Sequence, residues 1–100
     1  MRAIELSNRA VKDVKALDPA SRKQIRDGLE QLRSNYDNLD IVPLAGAAPW
    51  RRLRIGDHRV LFRLMTTEEA ASHGADRGYL IARIVNRRDV HRSVANLPDA

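Results

Sequence analysis

Two strand-like runs, residues 50–55 and 58–65, are separated only by Gly56-Asp57, and this pair constrains the fold more than any other stretch. Glycine reaches positive φ without steric penalty, so a Gly-Asp pair closes a two-residue hairpin of type I′ or II′. The turn then dictates the ladder: Ile55 lies opposite His58, Arg54 opposite Arg59, Leu53 opposite Val60 and Arg52 opposite Leu61. Because side chains alternate along a strand, Leu53, Ile55, Val60, Phe62 and Leu64 share one side, toward a core. Trp50, Arg52, Arg54, Arg59, Leu61 and Arg63 share the other. That second side sets two guanidinium groups directly across from each other, which is destabilising at side-chain separations of about 5 Å. Folding gives no reason for such a pair, and sequences tend to break local rules at functional sites. An anion is therefore expected there.

The flanking sequence supplies the layer that the apolar side needs. Residues 3–6 read as a first strand ending at Ser7, a good N-cap. Ala10, Val11, Val14 and Leu17 then recur at helical spacing over about three turns. Asp18 can cap a second helix with Pro19 in its first position, and Ile25, Leu29, Leu32 and Tyr36 mark its apolar face. Gly28 inside that helix costs about 1 kcal/mol relative to alanine, which points to close packing. Residues 35–49 carry Asn, Asp, Pro and Gly and read as a linker. Residues 66–78 read as an extended, mobile loop, and 79–85 as a further strand. The expected fold is α+β, a single domain over residues 1–100: a small antiparallel sheet of about four strands with an N-terminal helical hairpin on one face, in the order β-α-α-β-β-β.

Charge placement sharpens the expectation of an anion. The formal net charge is +5, and residues 49–64 hold five arginines against Asp57, while residues 83–92 hold Arg83, Arg87, Arg88 and Arg92 against Asp89. Both blocks lack lysine, which favours planar, bidentate recognition of phosphate over mere solubility. Arg51 falls on the opposite parity and covers the strand entrance. A helical turn after the last strand would set Arg87 or Arg88 beside His91, giving an imidazole that can exchange protons near neutrality. His58 falls on the core side, and His73 stands alone in the polar loop. No G-x-S-x-G, Gly-rich phosphate loop, H-E-x-x-H or cysteine is present, so acyl transfer, nucleotide hydrolysis and zinc chemistry lack their usual parts, and no cofactor or metal is expected. Residues 1–6 carry Arg2 and Glu5 and no apolar h-region, and nowhere do about 18 apolar residues run together, which points to a cytoplasmic, non-membrane chain.

Three strings resemble the RelE/ParE toxin superfamily: Pro43-Leu44-Ala45-Gly46, the stretch 50–63 reading W-R-R-L-R-I-G-D-H-R-V-L-F-R, and Ile84-Val85-Asn86-Arg87-Arg88-Asp89-Val90-His91. The likeness spans nearly the whole chain and keeps the order of elements. It implies a small sheet with two helices on one side and a toxin of a type II toxin-antitoxin system, silenced by a cognate antitoxin. For a RelE-like member it implies an endoribonuclease that binds messenger RNA in the ribosomal decoding site, where the RNA 2′-hydroxyl attacks the adjacent phosphate. By position, Arg52, Arg54, Arg59 and Arg87 match the family's basic catalytic residues, and His91 stands where many relatives carry a tyrosine, placed to protonate the leaving 5′ oxygen. Trp50, Arg51, Arg63, Arg83 and Arg88 would bind RNA around them. Arginine is a poor base, so the agent that removes the 2′-hydroxyl proton is left unassigned. Two other readings stay open: a ParE-like inhibitor of DNA gyrase, and an RNA-binding module without chemistry.

Overall fold

The computed structural model describes residues 2–98. The elements are β1 (Arg2–Leu6), α1 (Asn8–Lys15), α2 (Pro19–Ser34), a 3-10 turn (Tyr36–Asn38), β2 (Ile41–Pro43), β3 (Arg51–Ile55), β4 (His58–Leu64), α3 (Thr67–Ser72), β5 (Arg77–Asn86), a second 3-10 turn (Arg87–Asp89) and α4 (Val90–Val94). The fold is α+β, but the sheet has five strands in the order β1-β5-β4-β3-β2 and is mixed, because β1 runs parallel to β5. The expectation of about four antiparallel strands is corrected on both points. Ile41 and Val42 add a three-residue edge strand to β3 within the stretch that reads as a linker, and Pro43, which has no N–H to donate, ends it. Residues 67–72 form a helix, not a loop: Thr66 Oγ1 accepts from Glu69 N–H at 3.1 Å while Glu69 Oε1 accepts from Thr66 N–H at 2.8 Å, a reciprocal capping box.

The helical hairpin forms at its expected caps. Ser7 Oγ accepts from Ala10 N–H at 3.1 Å and donates to Ala82 O at 2.8 Å, tying the start of α1 to β5. Asp18 accepts from Ser21 N–H at 3.3 Å, with Pro19 in the first turn. The first helix has eight residues, shorter than three turns, and Val11 lies outside its buried stripe at 37% exposure. Ala10, Ile25, Leu32, Leu53, Ile55, Val60, Phe62, Tyr79, Ile81 and Ile84 form the core between the helices and one side of the sheet. Tyr36, Phe62 and Tyr79 pack there as two edge contacts and one stack, with centroids 5.8 to 6.4 Å apart. Gly28 is the close approach of α2 to this layer: a Cβ there would lie 2.3 Å from Ile55 Cδ1. Leu64, expected on the core side, ends β4 at 46% exposure, beyond the core cluster.

Two features of the sheet, a turn and a bulge, set where its arginines lie. Gly56 has φ 58°, and no non-glycine residue described has positive φ, so the turn is of the II′ kind and the ladder is the expected one, Arg54 opposite Arg59 included. Between β4 and β5 the pairing jumps from Phe62 opposite Ile81 to Leu61 opposite Arg83, leaving Ala82 as a bulge. The bulge resets the alternation, so Ile84 faces the core while Val85 lies opposite Arg59. The side turned away from the helical hairpin is not an open basic surface: Trp50, Leu61, Ala82 and Val85 are buried there, and Leu97 and Pro98 share a cleft with Trp50, Leu80 and Ala82. Among the described residues no helix is long and apolar enough to cross a membrane.

Candidate functional site

Each strand of the hairpin delivers its arginines by register. Arg52 and Arg54 come from β3, Arg59 from β4, and Arg87 from the turn after β5, whose backbone N–H donates to Asp57 O at 2.9 Å and so joins the two turns. Arg59 is the hub. It is only 9% exposed, and its Nη1 donates to the carbonyls of Gly56 and His58, both at 2.9 Å, which fixes the guanidinium against the hairpin turn. Burial, and then the positive charges of Arg52, Arg54 and Arg87, push this guanidinium down from its ordinary value, with Asp40 acting in the opposite sense. It nonetheless remains a cation near neutrality, as arginine does in proteins. The structure thus brings Arg52, Arg54, Arg59 and Arg87 into one electrostatic unit.

Asp40 joins them and was missed from the sequence. It lies one residue before β2, its carbonyl accepts from Arg54 N–H at 3.1 Å, and its carboxylate stands 3.5 Å from Arg52 Nη2 and 3.9 Å from Arg54 Nη1. Only the pairing of β2 with β3, in a stretch that reads as linker, puts Asp40 next to arginines twelve and fourteen residues away. The countercharge is incomplete: the Nε of Arg52 is buried without an acceptor among the described residues. A buried donor of this kind is costly unless an acceptor arrives.

The remaining expected residues stand apart from this cluster. Trp50 is 3% exposed and its indole N–H donates to Pro98 O at 3.0 Å, so its ring is part of the packing and not a free stacking platform. Arg63 lies over that ring at 5.8 Å and forks onto Glu69 at 2.7 and 2.9 Å. Arg83 forks onto Asp13 of α1 at 2.8 and 3.1 Å, and the same carboxylate accepts from Ile84 N–H at 2.9 Å, beyond the last rung of β5 with β1. Arg51 turns to the helical side, as its parity requires, and donates to the Tyr36 hydroxyl. Arg88 is exposed and bonds the Asn86 side chain. His91 is exposed on α4, one turn beyond Arg87, with no hydrogen-bond or ion-pair partner among the described residues. His58 is half-buried opposite Ile55, whereas His73, read as solitary, lies 3.2 Å from Glu5 of β1. Asp89 pairs with Arg92 at 2.8 Å. Among the described residues no three His, Cys, Asp or Glu side chains come together as a ligand set.

Comparison with known proteins agrees with the fold. The family model for the ParE toxin of the type II toxin-antitoxin system parDE matches residues 4–90. No curated protein sequence matches the chain. Among solved structures, a chain of the RelB-RelE antitoxin-toxin complex from Methanococcus jannaschii superposes with a TM-score of 0.63 at 20% identity, covering 88% of this chain and 95% of that one. The archaeal RelE-RelB complex from Pyrococcus horikoshii OT3 gives 0.64 at 19%, covering 86% and 94%, and the RelBE2 toxin-antitoxin complex from Mycobacterium tuberculosis gives 0.66 at 20%, covering 85% and 96%. At these identities the likeness is one of fold. A match running from β1 into α4, on a sheet and hairpin shared with those structures, makes this chain a member of the ParE toxin family, a type II toxin of the RelE/ParE superfamily.

Proposed function

We propose that this toxin is a ribosome-dependent messenger RNA endoribonuclease that cuts by attack of the 2′-hydroxyl on the adjacent phosphate. The observation that carries the reading is the gathering of Arg52, Arg54 and Arg87 about the buried Arg59, with Asp40 only loosely paired to Arg52 and Arg54 and one buried guanidinium donor still unmatched. In such a reaction the phosphorus passes through a pentacovalent state whose oxygens carry more negative charge than the ground state. Donors that are already fixed stabilise that charge without reorganising. Arg59, pinned by two carbonyls, is such a donor, and Arg52, Arg54 and Arg87 surround it. His91 would protonate the leaving 5′ oxygen. Likeness of fold to RelE toxins supports dependence on the ribosome, and a ribosome-bound toxin would act in the cytoplasm. The solved structures it resembles are complexes with antitoxins, and we infer a cognate antitoxin here, an acidic one suiting the net charge of +5.

The test is cutting of a defined message on translating ribosomes, with mapped ends. Arg59→Ala and Arg87→Ala should each abolish it while circular dichroism stays unchanged, and retained cutting by either variant refutes the site. His91→Phe should slow cutting, and an unchanged rate in that variant removes the role assigned to the imidazole. A second reading, inhibition by binding alone, is favoured by one observation: among the described residues no histidine ring hydrogen-bonds or pairs with the four arginines or Asp40. A gyrase inhibitor would leave messages intact and block supercoiling. A non-catalytic RNA binder would show only salt-sensitive association.

A further inference from the structure

The four arginines stabilise charge but cannot accept a proton, so the nuclease reading lacks a base for the 2′-hydroxyl. Asp40 is the carboxylate placed to fill that role. Its backbone is held at the next rung beyond Arg54, because Ile41 lies opposite Leu53 and Arg54 N–H donates to Asp40 O. Partners across an antiparallel ladder share a side, so Asp40, Arg54 and Arg59 form one row from the entry of β2 through β3 to β4. The hold on the carboxylate itself is loose. Its contacts with Arg52 and Arg54 are 3.5 and 3.9 Å long, against 2.7 to 3.1 Å in the forks at Glu69 and Asp13, and its side chain is 51% exposed. A carboxylate locked in a fork has its lone pairs taken; this one keeps acceptor capacity toward solvent, where a ribose would sit.

We propose that Asp40 is the general base of the cleavage, an assignment that rests on the nuclease reading. The carboxylate takes the proton of the 2′-hydroxyl as that oxygen forms its bond to phosphorus. The bond from phosphorus to the 5′ oxygen breaks, and the electron pair leaves with that oxygen, which is protonated by His91 in its imidazolium form or by water. The products are a 2′,3′-cyclic phosphate and a 5′-hydroxyl, with no net change of oxidation state and no co-reactant. The arginines and Asp40 then have separate tasks, charge stabilisation and proton removal.

The experiment measures single-turnover cutting of a defined message on translating ribosomes by the full chain and by Asp40→Asn and Asp40→Glu, with the half-saturating toxin concentration followed separately. The expected result is a fall in the cutting rate of about 100-fold or more for Asp40→Asn with half-saturation unchanged or tighter, because removing an anion beside the phosphate does not weaken binding. Asp40→Glu, which keeps a carboxylate, should recover cutting to within about tenfold of the natural chain. If the natural chain cuts nothing, the nuclease reading falls and takes this assignment with it. If the natural chain cuts and Asp40→Asn cuts as fast or faster, the carboxylate only occupies the phosphate position and the base assignment alone is overturned. A slow Asp40→Asn whose half-saturation weakens in proportion would overturn it too, since that is the behaviour of a group that merely shapes the site.

Discussion

Arg63 and Arg83 each lay a guanidinium fork on one carboxylate, Glu69 and Asp13, whereas Arg52, Arg54 and Arg87 act on the buried Arg59, and the loosely held Asp40 pairs with Arg52 and Arg54. Both groups come from neighbouring strands of one sheet, and the composition of the two basic blocks does not separate them. The paired arginines join distant parts of the chain: Arg83 ties β5 to α1 across seventy residues, and Arg63 ties β4 to α3. Their charges are matched within the molecule, so they belong to folding. The second group is under-matched and self-repelling, with one donor buried and unused. Stability does not account for that arrangement, and the phosphate of the proposed function would. The difference teaches that an arginine count says little until each guanidinium is asked where its countercharge is.

The sharpest way to break this division is to remove a countercharge from the paired group. Asp13 serves Arg83 twice and Ile84 N–H once, with both side chains less than one-fifth exposed. Asp13→Ala strands a guanidinium and a backbone donor together, and should destabilise the fold by about 3 kcal/mol. Urea denaturation would show this as a lowered midpoint at unchanged slope. A loss below about 0.5 kcal/mol would mean that the fork is decoration and that Arg83 belongs with the free arginines.

A smaller effect should appear in acid. The Arg63 guanidinium and the Thr66 backbone N–H hold the Glu69 carboxyl down to about 2, well below its ordinary value of 4.5. The folded state therefore favours the ionised form. Its contribution is fully present above about pH 4.5 and is lost as pH falls toward 2. The Glu69 side chain is 38% exposed, so solvent and salt screen the pair and the effect is modest. Asp18 and Glu30 are lowered as well, through Ser21 and Arg33, so the informative quantity is a difference between proteins. Melting temperature should fall less between pH 5 and 2.5 in Glu69→Gln than in the natural chain; parallel curves would show that the Arg63 fork contributes nothing.

How far the sequence discloses this division depends on how local the determining signal is. The Gly56-Asp57 turn fixes the register of β3 and β4 residue by residue, so the repelling Arg54–Arg59 pair is legible from a two-residue signal. Ser7, Asp18 and Pro19 mark the helix starts for the same reason. The capping box at Thr66 and Glu69 was equally local and legible, but the polar composition around it masked α3. What resisted reading is non-local. Pairing of β1 with β5 joins the two ends of the chain, the bulge at Ala82 shows only in the ladder, and β2 is too short to have a periodicity. Trp50 looks exposed on the alternation rule, and is buried because a segment nearly fifty residues later lies against it. Asp40 is hidden for the same reason, since its neighbours are set by β2.

The smallest expected effect is also the most discriminating. Arg54 is exposed, faces Arg59 across the ladder and touches Asp40 only at 3.9 Å, so its loss removes more repulsion than attraction. Arg54→Ala should therefore leave stability unchanged or raise it by a few tenths of a kcal/mol, where an exposed arginine in a good pair would lower it. The same substitution should act on nucleic acid in the opposite direction. If Arg54 meets a phosphate in the complex, RNA affinity falls at every sequence, and the slope of log affinity against log salt becomes shallower by about one for the lost contact. Arg63→Ala, whose charge is spent on Glu69, should leave that slope unchanged while lowering the melting temperature. Equal slopes for the two variants would erase the distinction between matched and unmatched arginines. A change confined to Arg54→Ala would establish it by a measurement that needs no assumption about cutting.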